Sequence, residues 1–283
     1  MLRADTAGPD TTASHAPPHV PTTSVGSELH DVQNEHDRRG IEIDEVGISG
    51  LRYPIVLDDG KLRHQGIAEA KVSVRLQHDR RGTHMSRMVA LVHEALRDFD
   101  PRAVGTLLKT GAGSLDAPGL SVRLSMEVAT EVMAPASGIT SWAVHDVAFE
   151  MHWDDGQVLL NTSVTCEVTS LCPCSKNISD YGAHNQRSQV TLTVTGQGDT
   201  PYPLSVSELI TLATSHSSAP VVPLVKRPDE RVLTMQAYDN PVFVEDMARE
   251  VSAACRRRDL VHRVAVRNLE SIHSHDAIAV VTG

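Results

Sequence analysis

The sequence predicts an α+β fold in which antiparallel strands form sheets and helices lie on one sheet face. Two features carry that expectation. Apolar residues change between a two-residue and a helical period along the chain, and the order strand, strand, helix, helix, strand, strand runs through twice. A third feature is size: 283 residues suffice for one large domain or two modest ones around a buried core.

Residues 1–40 read as a disordered tail. The stretch from Met1 to about Glu35 mixes Pro, Thr, Ser, His and Asp without periodicity, and it lacks the apolar core of a secretory signal. A first unit is expected over 41–156. Leu51 to Leu57 forms its first strand, and Ala68, Ala70, Val72, Val74 and Leu76 alternate with Glu69, Lys71, Ser73 and Arg75 in the second. Met85, Met88, Val89, Val92 and Leu96 then recur at helical spacing, with Thr83 as N-cap, and Pro101 to Lys109 gives a second short helix. Alternation returns at Leu120, Val122, Leu124, Met126 and Val128, and a β-rich run from Thr140 to Trp153 follows the turn Pro135-Ala136-Ser137-Gly138.

The second unit, 157–283, repeats the pattern but not the letters. Strands are expected near Val158–Thr169 and Arg187–Thr195, helices near Ser205–Ser215 and Pro241–Arg256, and strands near Leu260–Leu269 and Asp276–Val281. Ser205 and Glu208 have capping-box spacing, and Pro241 suits a first helical position ahead of Val244, Met247, Ala248 and Val251. Antiparallel sheets of this kind have open edges, which proteins pair, cover or blunt, so assembly of several subunits into a larger barrel-like sheet is expected.

Composition narrows the function classes. Hydrophobic residues make up 40% and charged residues 22%, with no run near the roughly 18 apolar residues of a membrane span, so no membrane partner is expected. A formal charge of −10 disfavours broad nucleic-acid binding, although Arg80-Arg81 and Lys226-Arg227 leave room for a small anion. The four cysteines, Cys166, Cys172, Cys174 and Cys255, sit in a chain without an export signal, so free or metal-bound thiols and a cytoplasmic location are expected.

The most unusual passage runs from Ser170 to Ser188, a polar loop between two expected strands that holds Cys172, Cys174 and His184. Thiolate and imidazole suit zinc and similar ions. Spacing alone leaves two readings open: a metal-ligating loop, or a small buried thiol beside an ordinary loop histidine. No C-x-x-C pair and no H-E-x-x-H occurs.

Five blocks in order decide between these readings: GTHMSR at Gly82–Arg87, SLCPCSK…YGAHNQRS, VKRPDE at Val225–Glu230, NPVFVEDM at Asn240–Met247 and SIHSHDA at Ser271–Ala277. With them the chain resembles the type IB GTP cyclohydrolases from about Asp44 to its C-terminus. The resemblance implies the tunnelling fold, two ββααββ units per chain assembling into a homotetramer. It implies one divalent metal ion per site, zinc, manganese or iron, held by Cys172, His184 and Glu230. Such a set leaves a coordination position open for water or substrate. The substrate implied is GTP. Glu245 is the implied anchor of guanine, since a carboxylate offers two acceptors to the ring N–H and the exocyclic amine. His275 is the implied proton shuttle, with His273 as its competitor. Arg187 and Lys226 are candidates to meet the triphosphate, and His84 to line the site.

The implied reaction converts GTP and water to 7,8-dihydroneopterin triphosphate and formate, the first step of tetrahydrofolate synthesis. Ala219 stands where the family commonly has cysteine and Asn177 where it has an acid, and neither is a proposed ligand. Cys174 has no assigned role. Two competing readings are a non-catalytic metal- or purine-binding module and a nitrile reductase of queuosine synthesis, which shares the fold. The chain shows neither the characteristic reductase block nor a nicotinamide fingerprint.

Overall fold

Long alternating runs become long strands. The computed structural model describes residues 30–283. The first half contains strands β1 (Ile43–Asp58) and β2 (Arg63–Leu76), helices α1 (Met85–Leu91) and α2 (Val104–Leu115), and strands β4 (Gly119–Met133) and β5 (Thr140–Asp154). A π-helical turn over Val92–Leu96 prolongs α1, and the two-residue β3 (Asp98–Phe99) runs parallel to β1. The second half contains β6 (Gln157–Leu171), α3 (Pro173–Ile178), β7 (Asn185–Gln197), α4 (Val206–Thr214), β8 (Ala219–Pro220), α5 (Arg227–Asp239), α6 (Val244–Arg256), β9 (Val261–Asn268) and β10 (Ala277–Thr282).

The strands form one sheet in the order β10-β9-β7-β6-β5-β4-β2-β1-β3, with β8 on β6. Apart from β3 on β1, every pairing is antiparallel. The halves meet at β5 and β6, where the two-residue turn Asp155-Gly156 has positive φ at both positions. That is the backbone twist a tight hairpin prefers, and Asp-Gly is a sequence that supplies it. The expected α+β class with an antiparallel sheet is therefore observed.

Alternate strand residues point into a single apolar layer. On β6 these are Leu160, Val164, Cys166 and Val168, and α2, α4 and α6 pack against strands of the same sheet. Val104, Leu108, Leu209, Met247 and Val251 supply the helical side, and the buried cluster crosses from one half to the other. The opposite sheet face mixes charged side chains with exposed apolar ones such as Ile67 and Val144. A concavity of about 850 Å³ on this face is lined by Arg52, Glu69, Arg123, Glu127, Asp146 and Glu150 among others, with no cysteine in its lining.

Four expectations need correction. Residues 1–29 of the anticipated tail lie outside the described residues, but 30–40 are not structureless. A 3-10 turn at Val32–Asn34 is capped by Asp31, and Gly82 and Arg81 donate backbone hydrogen bonds to the carbonyls of Gln33 and Glu35. The N-cap of α1 is His84 rather than Thr83, whose carbonyl instead accepts from Gln33 Nε2. Pro241 lies outside α6, which starts at Val244 after Phe243. The backbone of Val242 donates to Leu171 O and its carbonyl accepts from Ser170 Oγ, so this segment is tied to β6 before the helix begins. Finally, α3 and α5 are additions to the expected order. The capping box of Ser205 and Glu208 on α4 is present as expected.

Candidate active site at the end of the second-half sheet

The site grows from the ends of β6, β7 and β9. Leu171 closes β6, and Cys172 leaves the sheet to cap α3, with Pro173 at the first helical position where its missing N–H costs nothing. The Cys172 Sγ accepts the backbone N–H of Ser175 at 3.4 Å, which fixes the direction of its side chain. The returning chain is stapled to it, because Cys172 N donates to His184 O at 3.1 Å and His184 N to Ser175 Oγ at 3.3 Å.

His184 is held from behind. Its Nδ1 lies 2.8 Å from Gln186 Oε1 and 3.8 Å from Glu270 Oε2, and Gln186 Nε2 reaches Glu270 Oε1 at 3.5 Å. Gln186 and the carboxylate of Glu270 are almost wholly buried. With Nδ1 engaged in this way, Nε2 is the nitrogen left to face the cavity, the arrangement that orients a ligand imidazole.

Cys172, Cys174, His184, Gln186, Glu245, Glu270, His273 and His275 line one cavity of about 290 Å³. His273 and His275 stack with ring centroids 5.2 Å apart, and His273 meets His184 edge-on at 6.4 Å. The floor is built of satisfied polar groups: buried Asn268 accepts from Ser188 Oγ at 2.7 Å and donates to Ser170 Oγ at 3.3 Å. Glu245 enters from the exposed first turn of α6, where a negative charge also complements the helix dipole.

The other sequence candidates stand apart from this cavity. Glu230 is exposed on the first turn of α5. That helix contacts the cavity loop at its far end, where Lys176 Nζ donates to Tyr238 O and sits over the Tyr238 ring at 4.2 Å. Eight residues separate Glu230 from Tyr238, ~12 Å along the helix axis. Lys226 is exposed just before the same helix. Arg187 projects on the sheet face opposite to Gln186 and Ser188 and pairs with Glu167 at 3.6 Å. His84 approaches Asp31 at 3.3 Å without a hydrogen bond.

Between Lys226 and Glu230, Asp229 is fully buried. Its Oδ1 accepts from the backbone N–H groups of Ala136 and Ser137, each at 2.7 Å, and its Oδ2 from Ser137 Oγ at 2.7 Å and Lys226 N at 2.9 Å. These bonds, that from the Ser137 side chain foremost, hold its carboxyl well below the usual carboxylate range.

Cys172 and His184 thus fit a divalent ion in donor chemistry, cavity and outer contacts, whereas Glu230 does not join them. Among the described residues no three Cys, His, Asp or Glu side chains converge closely enough to hold a metal ion. The sequence reading missed Gln186 and Glu270. A signal for Gln186 is present, because it shares the inward phase of Val190, Leu192 and Val194, where a polar residue needs a buried partner.

A family model described as type I GTP cyclohydrolase FolE2 matches residues 29–279. The chain belongs to this family. A GTP cyclohydrolase FolE2 of Herminiimonas arsenicoxydans is 38% identical over 257 residues, covering 90% of this chain and 97% of the relative. That of Fervidobacterium nodosum is 37% identical over 257 residues, with the same coverage of both chains. Among solved structures, uricase from Arthrobacter globiformis aligns with a TM-score of 0.46 and 8% identity over 84% of this chain and 92% of that one, a likeness too distant to bear on the FolE2 assignment.

Proposed function

We propose that this FolE2-family chain is a metal-dependent GTP cyclohydrolase I, converting GTP and water to 7,8-dihydroneopterin triphosphate and formate at the start of tetrahydrofolate synthesis. The observation that carries the reading is the convergence of Cys172, His184, Glu245, His273 and His275, drawn from three separate sequence blocks, on one cavity.

Cys172 and His184 would hold the ion, with Glu230 as the third ligand named by the family resemblance. Zinc, manganese and iron all suit a mixed sulfur, nitrogen and oxygen set. When bound, the ion supplies Lewis acidity that brings the ionisation of water toward neutral pH. The chain's own groups do the rest. Glu245 accepts the guanine N1–H and 2-amino hydrogens and so orients the purine. Gln186 and Glu270 keep His184 in one orientation. His275, stacked on His273, gives and takes protons as the imidazole ring opens, formate leaves and the new ring closes. Lys226 is the proposed triphosphate contact; Arg187, on the opposite sheet face, has no part in it. The proposal extends to the tunnelling fold of two ββααββ units, a homotetramer and a cytoplasmic enzyme.

The test is incubation of metal-replete protein with GTP, followed by assay of formate and, after oxidation and dephosphorylation, fluorescent neopterin. Both products are expected. Neither, across zinc, manganese and ferrous iron, would leave a binding module. Cys172→Ala is expected to lose bound metal and formate release with the fold retained; full activity in that variant would overturn the ligand assignment.

A further inference from the structure

Phenylalanine is scarce in this chain, which has three. Phe99 and Phe149 are buried in the core and pack edge to face with ring centroids 5.0 Å apart. Phe243 is used differently. It is 37% exposed, belongs to neither buried cluster, and lines the cavity that Cys172, His184 and Glu245 share. It also breaks a local rule, because it is the N-cap of α6 and its side chain accepts no hydrogen bond there. A serine, threonine, aspartate or asparagine at that position would satisfy a free N–H of the first turn. An exposed aromatic ring and an uncapped helix start each oppose stability, and such local conflicts concentrate where a side chain serves function.

The backbone around Phe243 is fixed on both sides. Val242 N donates to Leu171 O at 3.0 Å, and Val242 O accepts from Ser170 Oγ at 2.8 Å, which ties the preceding residue to the end of β6. Phe243 O in turn accepts from Met247 N at 3.1 Å, which ties it to the first turn of α6. Glu245, two residues further on, lines the same cavity. A purine has one edge rich in hydrogen-bonding groups and two flat apolar faces. A carboxylate answers the edge, and an aromatic ring answers a face.

We propose that Phe243 is the stacking platform for the purine of GTP, its ring covering one face of the base while Glu245 takes the N1–H and 2-amino edge. This rests on the reading of GTP as substrate with Glu245 as its anchor. The two residues divide the work. Stacking is indifferent to the hydrogen-bonding pattern of the base, so Phe243 supplies affinity and Glu245 supplies the choice of guanine.

Formate release by metal-replete full-length protein gives kcat and KM for GTP, with inosine triphosphate, which lacks the 2-amino group, as a competitor. Thermal unfolding is recorded alongside. Phe243→Leu keeps an apolar side chain but removes the flat face. Its KM is expected to rise about 10-fold with kcat within about twofold of the parent, the pattern of a lost stacking contact. Phe243→Trp, larger but flat, should stay near the parent KM. A residue that only filled space would give the reverse order, since leucine fits where phenylalanine does and tryptophan does not. Phe243→Ser supplies the missing cap, so it should raise the melting temperature and KM together.

An unchanged KM in the Leu and Ser variants, or a Trp variant worse than the Leu one, overturns the proposal. The ratio of the inosine triphosphate inhibition constant to the KM for GTP tells the two readings apart. Glu245→Gln should shift it, and the Phe243 variants should leave it alone. If the parent releases no formate, or Glu245→Gln leaves the ratio unmoved, the underlying reading fails. If Glu245→Gln shifts the ratio while Phe243→Leu keeps the parent KM, only the stacking role fails.

Discussion

A cysteine's surroundings decide what it can do. Burial pushes the Cys166 thiol up to about 12 and raises that of Cys255 as well, so both behave as small apolar groups. Cys172 and Cys174 line the cavity instead. In metal-stripped native protein, two thiols should react quickly with a disulfide reagent at neutral pH and two only after unfolding; four fast thiols would mean an open core. Substitution of Glu245 by Gln turns one of two acceptors into a donor facing the guanine N–H groups. A loss of about 10- to 100-fold in kcat/KM for GTP is expected, in line with the loss of a hydrogen bond to a charged group. An unchanged value would remove Glu245 from substrate binding. At this scale the family resemblance, rather than residue type or spacing alone, singled out Cys172, His184 and Glu245, which the fold gathers at one cavity. The sequence was silent on Glu270, because a glutamate three residues before His273 has no pattern until the loop is folded back over His184. The same alternation that turns Gln186 inward with Val190 and Leu192 puts Arg187 on the far side of the sheet from the cavity.

Elements with a strong period or cap were legible, and weakly patterned ones were not. α4 was marked by its capping box, in which Ser205 N donates to Glu208 Oε2 at 3.0 Å and the serine hydroxyl meets the Glu208 backbone N–H. Replacing Ser205 by Ala should cost about 1 kcal/mol in chemical denaturation, and a cost near zero would mean that packing alone fixes the helix start. The ion pair of Glu208 with Lys61 at 2.8 Å, followed by its bonds to Ser205, lowers the Glu208 pKa from 4.5 to about 2. A carboxyl depressed in the folded state stabilises above its unfolded pKa and loses that contribution as pH falls through the folded value. Stability should therefore drop between about pH 4.5 and 2, and Glu208→Gln should flatten part of that slope when denaturation midpoints are compared across the range. α5 escaped detection because its sequence, RPDERVLTMQAYD, is largely polar and buries only Asp229 and Ala237. Its clues were Pro228 followed by two acids, a helix-start signature without an apolar stripe behind it.

At the scale of the whole molecule, the sheet ends on β10, where Ile278 is 72% and Val280 52% exposed. An apolar strand edge of this kind is normally covered in solution. If the proposed homotetramer uses it, Ile278→Lys together with Val280→Lys should shift the sedimentation profile to smaller species, and an unaltered profile would place the contact elsewhere. The class and the strand order along each half were legible because alternation survives in nearly every strand. The fusion of both halves into one sheet was not, since pairing of β5 with β6 is a long-range event that periodicity does not report.

The Asp155-Gly156 turn leaves the two halves almost no slack. Along β5 and β6 the chain is already zipped from Asp146–Thr165 to Asp154–Gln157, so the covalent bond at the turn adds little to recognition. A gene cut at this point and expressed as two pieces should yield fragments that find each other through the strand ladder alone. What the peptide link supplies is a guarantee of equal numbers: each first half is made with its second half already attached, at the cost of two residues.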